Sequence, residues 1–183
     1  MIINGSLDLS KTNIESLGEL KEVKNELFLN SCVRLTSLGN LKVVRYFLSL
    51  ENCISLESLG NLRYLKRFNF KNCVRLKDLG NLINLEDEDV YQYDFSSLIS
   101  LTSFKIKESK SSIDFSNCSK LPSLFHLTKV DGHIDLTGCK SLKDLGKLRS
   151  VSGEIKIDNR TGLTEEYIKT INSKIRNKIR RFI

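Results

Sequence analysis

The chain has 183 residues, 40% of them hydrophobic and 28% charged, with a single proline, Pro122. That balance excludes a disordered chain, and no apolar run approaches the roughly 20 residues of a membrane-spanning helix, so one domain with a substantial core is expected. The formal net charge of +7 is mostly local: Lys169, Lys174, Arg176, Lys178, Arg180 and Arg181 follow Glu166 with no acid among them. A nucleic-acid-binding face spread over the fold is therefore not expected.

The N-terminal stretch MIINGSLDLSK has no basic start followed by a long apolar segment. No secretory signal is visible, and a cytoplasmic location is the expectation.

A pair of apolar residues separated by one position then recurs along the chain. It stands at Leu7/Leu9, Leu27/Leu29, Leu48/Leu50, Phe68/Phe70, Ile113/Phe115, Ile134/Leu136 and Ile155/Ile157, with steps of 20, 21, 20, 45, 21 and 21 residues. A Leu-Gly pair repeats in phase at Leu17-Gly18, Leu38-Gly39, Leu59-Gly60, Leu79-Gly80 and Leu145-Gly146. A fixed period near 20 predicts a solenoid. In each unit the two apolar residues point to one side of a short strand and the residue between them to the other. One unit is too small to enclose a core, so neighbouring units stack, pair their strands in parallel and bury the leucines between them. A strand, a full helix and two bends do not fit in so few residues, so the return side is expected to be extended or one-turn helical. The Leu-Gly pair marks a tight bend or a close backbone approach.

The step of 45 interrupts this order. Glu86-Asp87-Glu88-Asp89 reads as an acidic insertion, Val90, Tyr91, Tyr93 and Phe95 as a degenerate strand, and Phe104/Ile106 as another strand-like pair. Either one irregular turn or two partial turns fill residues 86–112, with a bulge or extra strand expected there.

The chain ends in a different pattern. Thr164 is a plausible helix N-cap followed by Glu165 and Glu166, and Ile168, Ile171, Ile175, Ile179 and Phe182 fall on one helical face. The expectation is a solenoid of about eight turns over 1–162, irregular at 86–112, closed by a basic amphipathic capping helix over 163–183.

The unit Leu48-x-Leu50-x-x-Cys53 resembles the leucine-rich repeat family, whose constant half is L-x-L-x-x-(N/C). Cysteine holds the same slot at Cys32, Cys53, Cys73, Cys118 and Cys139, and Asn52, Asn72 and Asn117 precede three of them. The second half, S-L-G-x-L-x-x-V, is similar to the short bacterial and phage-type repeats. The resemblance implies an α/β repeat, a right-handed solenoid with a parallel β-sheet on its concave face, a convex side that is mostly irregular or short-helical, and a C-terminal capping α-helix. It implies binding of another macromolecule, usually a protein, through the strand face. The irregular 86–112 region and the lack of disulfide-bonded caps depart from the family and speak against an extracellular role.

The cysteines occupy equivalent positions in successive turns. Their Cα atoms would be about 5 Å apart, which geometry alone lets a disulfide span. Their inward setting and odd number favour free thiols in a reducing compartment. No C-x-x-C, no Cys/His pair, no phosphate loop and no catalytic triad pattern occurs, and neither His126 nor His133 is joined to a nucleophile, so no metal, cofactor or enzymatic activity is expected.

The outward strand positions are the candidate site. Phe28 and Phe47 are expected exposed on adjacent turns with Tyr46 and Arg67 nearby, followed by Asn69 and Lys71, an arrangement typical of an interface hot spot. Asp114, Asp135 and Asp158 form an acidic stripe further along. The expected partner is a protein bound by a monomeric chain, and neither membrane nor nucleic acid. The alternative is an anionic surface bound through the basic C-terminal segment.

Overall fold

The computed structural model describes residues 1–87 and 89–182. Glu88 of the acidic insertion and Ile183, the last residue of the expected capping helix, lie outside them.

The leucine period produces a parallel β-solenoid of about nine turns. Each turn lays down two short strands and a third, barely extended side. The first strand line comprises β1 (Ile2–Ile3), β3 (Glu22–Val23), the start of β5 (Val43–Ser49), the start of β6 (Tyr64–Asn69), β7 (Asn84–Leu85), β9 (Glu108–Ser109), β11 (Lys129–Val130) and β13 (Ser150–Val151). The second, carrying the L-x-L pairs, comprises β2 (Leu7–Asp8), β4 (Leu27–Phe28), the ends of β5 and β6, β8 (Gln92–Asp94), β10 (Ser112–Asp114), β12 (Ile134–Asp135), β14 (Ile155–Asp158) and β15 (Ile179–Phe182). The third side pairs through single bridges such as Ser16 with Ser37 and Ser37 with Ser58. The return path is thus extended, and no helix occurs among the described residues before Glu165.

Registers follow the apolar pattern. Leu27 stands beside Leu7 and Leu48, and Ile134 beside Ile113 and Ile155. Leu27, Leu29, Leu48, Leu50, Leu56, Leu59 and Leu62 are fully buried, each contributing about 1.5–3 kcal/mol of apolar burial.

Three recurring polar devices turn the corners. Where the strand ends, an aspartate or asparagine accepts the amide two residues on: Asp8 from Ser10, Asn69 from Lys71, Asp94 from Ser96, Asp114 from Ser116 and Asp135 from Thr137. The next corner residue takes a left-handed conformation, as at Asn52 (φ 63°), Asn72 (φ 61°) and Asn117 (φ 60°), which asparagine tolerates better than most residues. In the S-L-G segment the serine or aspartate hydroxyl or carboxylate accepts the glycine amide, as at Ser37–Gly39, Ser58–Gly60 and Asp78–Gly80.

The cysteine slot completes the stack. Each thiol is buried and free, and donates to the carbonyl that ends the L-x-L pair one turn earlier: Cys32 to Leu9, Cys53 to Leu29, Cys73 to Leu50, Cys118 to Phe95 and Cys139 to Phe115, at 3.0–3.1 Å. Thr161 fills the same slot with its hydroxyl on Leu136 O at 3.0 Å. Burial pushes the thiols of Cys53, Cys73 and Cys139 up to about 12.

The step of 45 resolves into one turn of 25 residues, from Phe68 to Tyr93, and one of 20, from Tyr93 to Ile113. Phe104 and Ile106 do not form another strand. They are buried on the return side, where Ser103 bridges Asp78, and so stand in for Leu79 and Leu82.

The C-terminal segment departs from the expected single helix. Thr164 does cap a helix, its hydroxyl accepting the Tyr167 amide at 3.1 Å, but α1 covers only Glu165–Thr170. Ile171 is extended (ψ 157°), α2 spans only Ser173–Arg176, and the chain then enters β15. The periodic isoleucines satisfy two structures in turn: Ile175 is buried, Ile168 and Ile171 pack on the core, and Ile179 aligns with Ile155 in the strand ladder.

Candidate interaction site on the strand face

Phe28 and Phe47 project outward from neighbouring turns, because Leu27, Leu29 and Leu48 beside them point in. Their rings meet at 5.9 Å between centroids with a tilt of 58°, so each is half-buried by the other rather than exposed as expected. Tyr46 is exposed, and the Lys66 ammonium sits 5.7 Å above its ring, a cation–π contact.

Arg67 pairs in register with Phe47 but is not a free cation. Its Nε donates to Asp87 Oδ2 at 3.0 Å, which also raises the guanidinium's affinity for its proton. Asp87, from the acidic insertion, is itself buried, with Lys66 at 3.9 Å and its amide donating to the Tyr93 hydroxyl at 2.8 Å. Asn69 donates from Nδ2 to Glu51 at 3.2 Å, and Lys71 is exposed.

The aspartates lie elsewhere. Asp114 accepts from Gln92 Nε2 at 2.9 Å and the Ser116 amide at 2.7 Å, and Asp135 accepts the Thr137 amide and hydroxyl at 2.9 and 2.7 Å. Their carboxylates end strands. Asp158 does the same further along: burial pushes its carboxyl up, but hydrogen bonds from the Gly138 amide and the Arg160 and Thr161 groups outweigh this and bring it to about 2. The predicted residues therefore divide into an aromatic and cationic cluster on the turns of β4, β5 and β6, and turn-forming aspartates beyond β8.

Between those groups lies a feature that periodicity did not reveal. Elsewhere on this side the amide of the second apolar residue donates to the next turn: Leu9 to Phe28 O, Leu29 to Ser49 O, Leu50 to Asn69 O, Phe95 to Asp114 O and Phe115 to Asp135 O. The left-handed residue does likewise, as from Asn52 to Lys71 O and from Ser97 to Ser116 O. The corresponding bonds from Phe70 to Asp94 O and from Asn72 to Ser96 O are not made, and β6 pairs with β5 but not with β8. A seam therefore opens on the strand side between these turns. The third side stays closed there, with the Thr102 amide on Lys77 O at 2.9 Å. Aromatic rings meet at the seam where leucines stack elsewhere: Phe68 lies 4.3 Å from Phe70, 5.8 Å from Tyr93 and 4.8 Å from Phe95. Phe68 is left half-exposed at its mouth.

His133 Nδ1 accepts the Glu154 amide at 3.0 Å. No group of three metal-ligating side chains occurs among the described residues, and no described helix is long and apolar enough to cross a membrane. Comparison with protein-family models, with curated proteins and with solved structures finds no match.

Proposed function

We propose that the chain is a non-enzymatic protein-binding module of the leucine-rich repeat type, acting inside the cell through its strand face. The observation that carries this reading is the Phe28–Phe47 pair. Two large apolar rings in contact stand on a face that is mostly polar and charged, with the exposed Tyr46 beside them. Aromatic anchors with a polar surround are the chemistry of interface hot spots. The repeat unit supplies a rigid frame that holds the rings without refolding.

The alternative, an anionic surface held by the C-terminal cations, is less well supported. Lys178 donates to Ser152 O at 2.8 Å, Arg181 to Glu165 at 2.8 Å, and Arg180 lies 3.5 Å from Glu154. These groups are engaged within the chain, which leaves Lys169, Lys174 and Arg176 as the exposed cations of that segment with no salt bridge among the described residues, Arg176 donating to Lys169 O at 3.2 Å.

The test is affinity capture with the wild type and with the Phe28→Ser, Phe47→Ser double variant. Loss of a captured protein, with the variant still unfolding cooperatively in urea, is the expected result. Equal capture by both proteins rejects the reading. Capture that instead disappears on charge reversal of Lys169, Lys174 and Arg176 supports the alternative.

A further inference from the structure

The seam is a slot rather than a simple fault. Its upper wall is the run Phe68, Asn69, Phe70, Lys71 and Asn72, and its lower wall is Asp94, Ser96 and Ser97, enclosing about 430 Å³. A second cleft of about 300 Å³ between Phe47, Arg67, Gln92 and Tyr93 adjoins it, sharing Phe68 and Asp94. Volumes of about 300–1,000 Å³ are those of clefts that hold ligands.

The two walls differ in hydrogen-bonding sense. The upper one presents the unpaired amides of Phe70 and Asn72, and the lower one the carbonyls of Asp94 and Ser96 that their counterparts elsewhere would use. Unpaired strand edges are templates for another strand. The occupant that matches donors on one wall and acceptors on the other, two residues apart along each, is an extended polypeptide backbone. In such a backbone the amide and carbonyl of one residue point to one side and those of the next to the other, so alternate residues can accept along one edge while their neighbours donate along the other. The half-exposed Phe68 ring between the clefts offers an apolar seat for one of its side chains.

We infer that the seam between β6 and β8 binds an extended segment of a partner protein by strand addition, its backbone accepting from the Phe70 and Asn72 amides and donating to the Asp94 and Ser96 carbonyls. This rests on the reading of the strand face as a protein-binding surface and specifies the conformation the partner presents.

The experiment selects binders to the wild-type protein from a randomised nine-residue peptide library. The expected peptides slow hydrogen exchange at the Phe70 and Asn72 amides at least tenfold. They also lose at least tenfold in affinity when single backbone amides of the peptide are N-methylated at two or more positions. Ser96→Phe, which fills the slot from its lower wall, weakens them by a similar factor, whereas Lys147→Ala, on the exposed return side, leaves them bound. Failure to select any peptide overturns the inference. So does a peptide whose binding leaves the Phe70 and Asn72 exchange unchanged, or that tolerates every N-methylation. A peptide lost on Phe28→Ser but indifferent to Ser96→Phe sustains the aromatic strand-face reading while removing the seam from it. Because the exchange readout is taken on the wild type, a variant that does not fold leaves the test intact.

Discussion

Arg67 Nε lies 3.0 Å from Asp87 Oδ2, and this contact ties the acidic insertion to the turn before it across the open seam. The Asp87 side chain is only 4% exposed, so its carboxylate relies on partners to offset its lost hydration, and Arg67 is the nearer of its two cations. Asp87→Ala is expected to lower stability by about 1.5–3 kcal/mol, the usual worth of a hydrogen bond to a charged group. Arg67→Ala leaves the carboxylate with only Lys66, at 3.9 Å, and also destabilises. The double variant should lose less than the sum of the two single losses, and urea unfolding of the four proteins measures this. Strict additivity means that the pair is not coupled.

The buried thiols make an alkaline prediction. Cys53, Cys73 and Cys139 ordinarily titrate at 9.0 but are pushed up to about 12 by burial, and burial likewise raises Tyr93 to about 12. A group whose acid form is favoured in the folded state gives its full stabilisation below its unfolded value. Between the two values the unfolded chain has released the proton and the native chain has not, so stability falls as pH rises. The urea midpoint is expected to hold near neutrality and to decline steadily from about pH 9 toward 12. Replacing the three cysteines together by Ser, which keeps a donor in each slot, should flatten that decline while lowering the neutral-pH midpoint. An unaltered slope in the triple variant contradicts it.

The left-handed glycines separate conformational from steric cost. Gly39 (φ 58°) and Gly60 (φ 57°) share one backbone geometry, but a Cβ on Gly39 would lie 2.6 Å from Gly18 O, whereas one on Gly60 meets nothing within 4 Å. Gly60→Ala should therefore cost about 1–2 kcal/mol, the left-handed penalty alone. Gly39→Ala costs more, because the backbone of the neighbouring turn has to move. Equal unfolding midpoints for the two variants would contradict this difference in packing.

Much of this architecture is legible in the sequence because every turn repeats the same physical problem. Leu48, Leu50 and Cys53 announce a strand, its inward face and a buried corner, and the structure places them so. The polar corner devices were harder to see. Asp114 and Asp135 look like a surface stripe because nothing in a pattern of apolar residues reveals that their carboxylates bind amides two positions on. The D-x-S/T spacing was the available signal. The seam was hidden for a related reason. The step of 45 shows that the repeat fails, but only the hydrogen bonds show that Phe70 and Asn72 go unpaired. Four aromatics, Phe68, Phe70, Tyr93 and Phe95, at positions that elsewhere hold mostly aliphatic residues, were its trace in the sequence. At the C-terminus, isoleucines spaced for one helical face misled, because Ile171 leaves the helix and Ile179 is needed in the strand ladder.

The most direct measurement is amide hydrogen exchange, residue by residue, on the free protein. Phe70 and Asn72 should exchange far faster than Leu50 and Asn52 in the turn before, or Phe95 and Ser97 in the turn after, whose amides are bonded at 2.7–2.9 Å. Equal protection of all six would mean that the ladder runs unbroken through Phe70 and Asn72, and that there is no seam for a partner to enter.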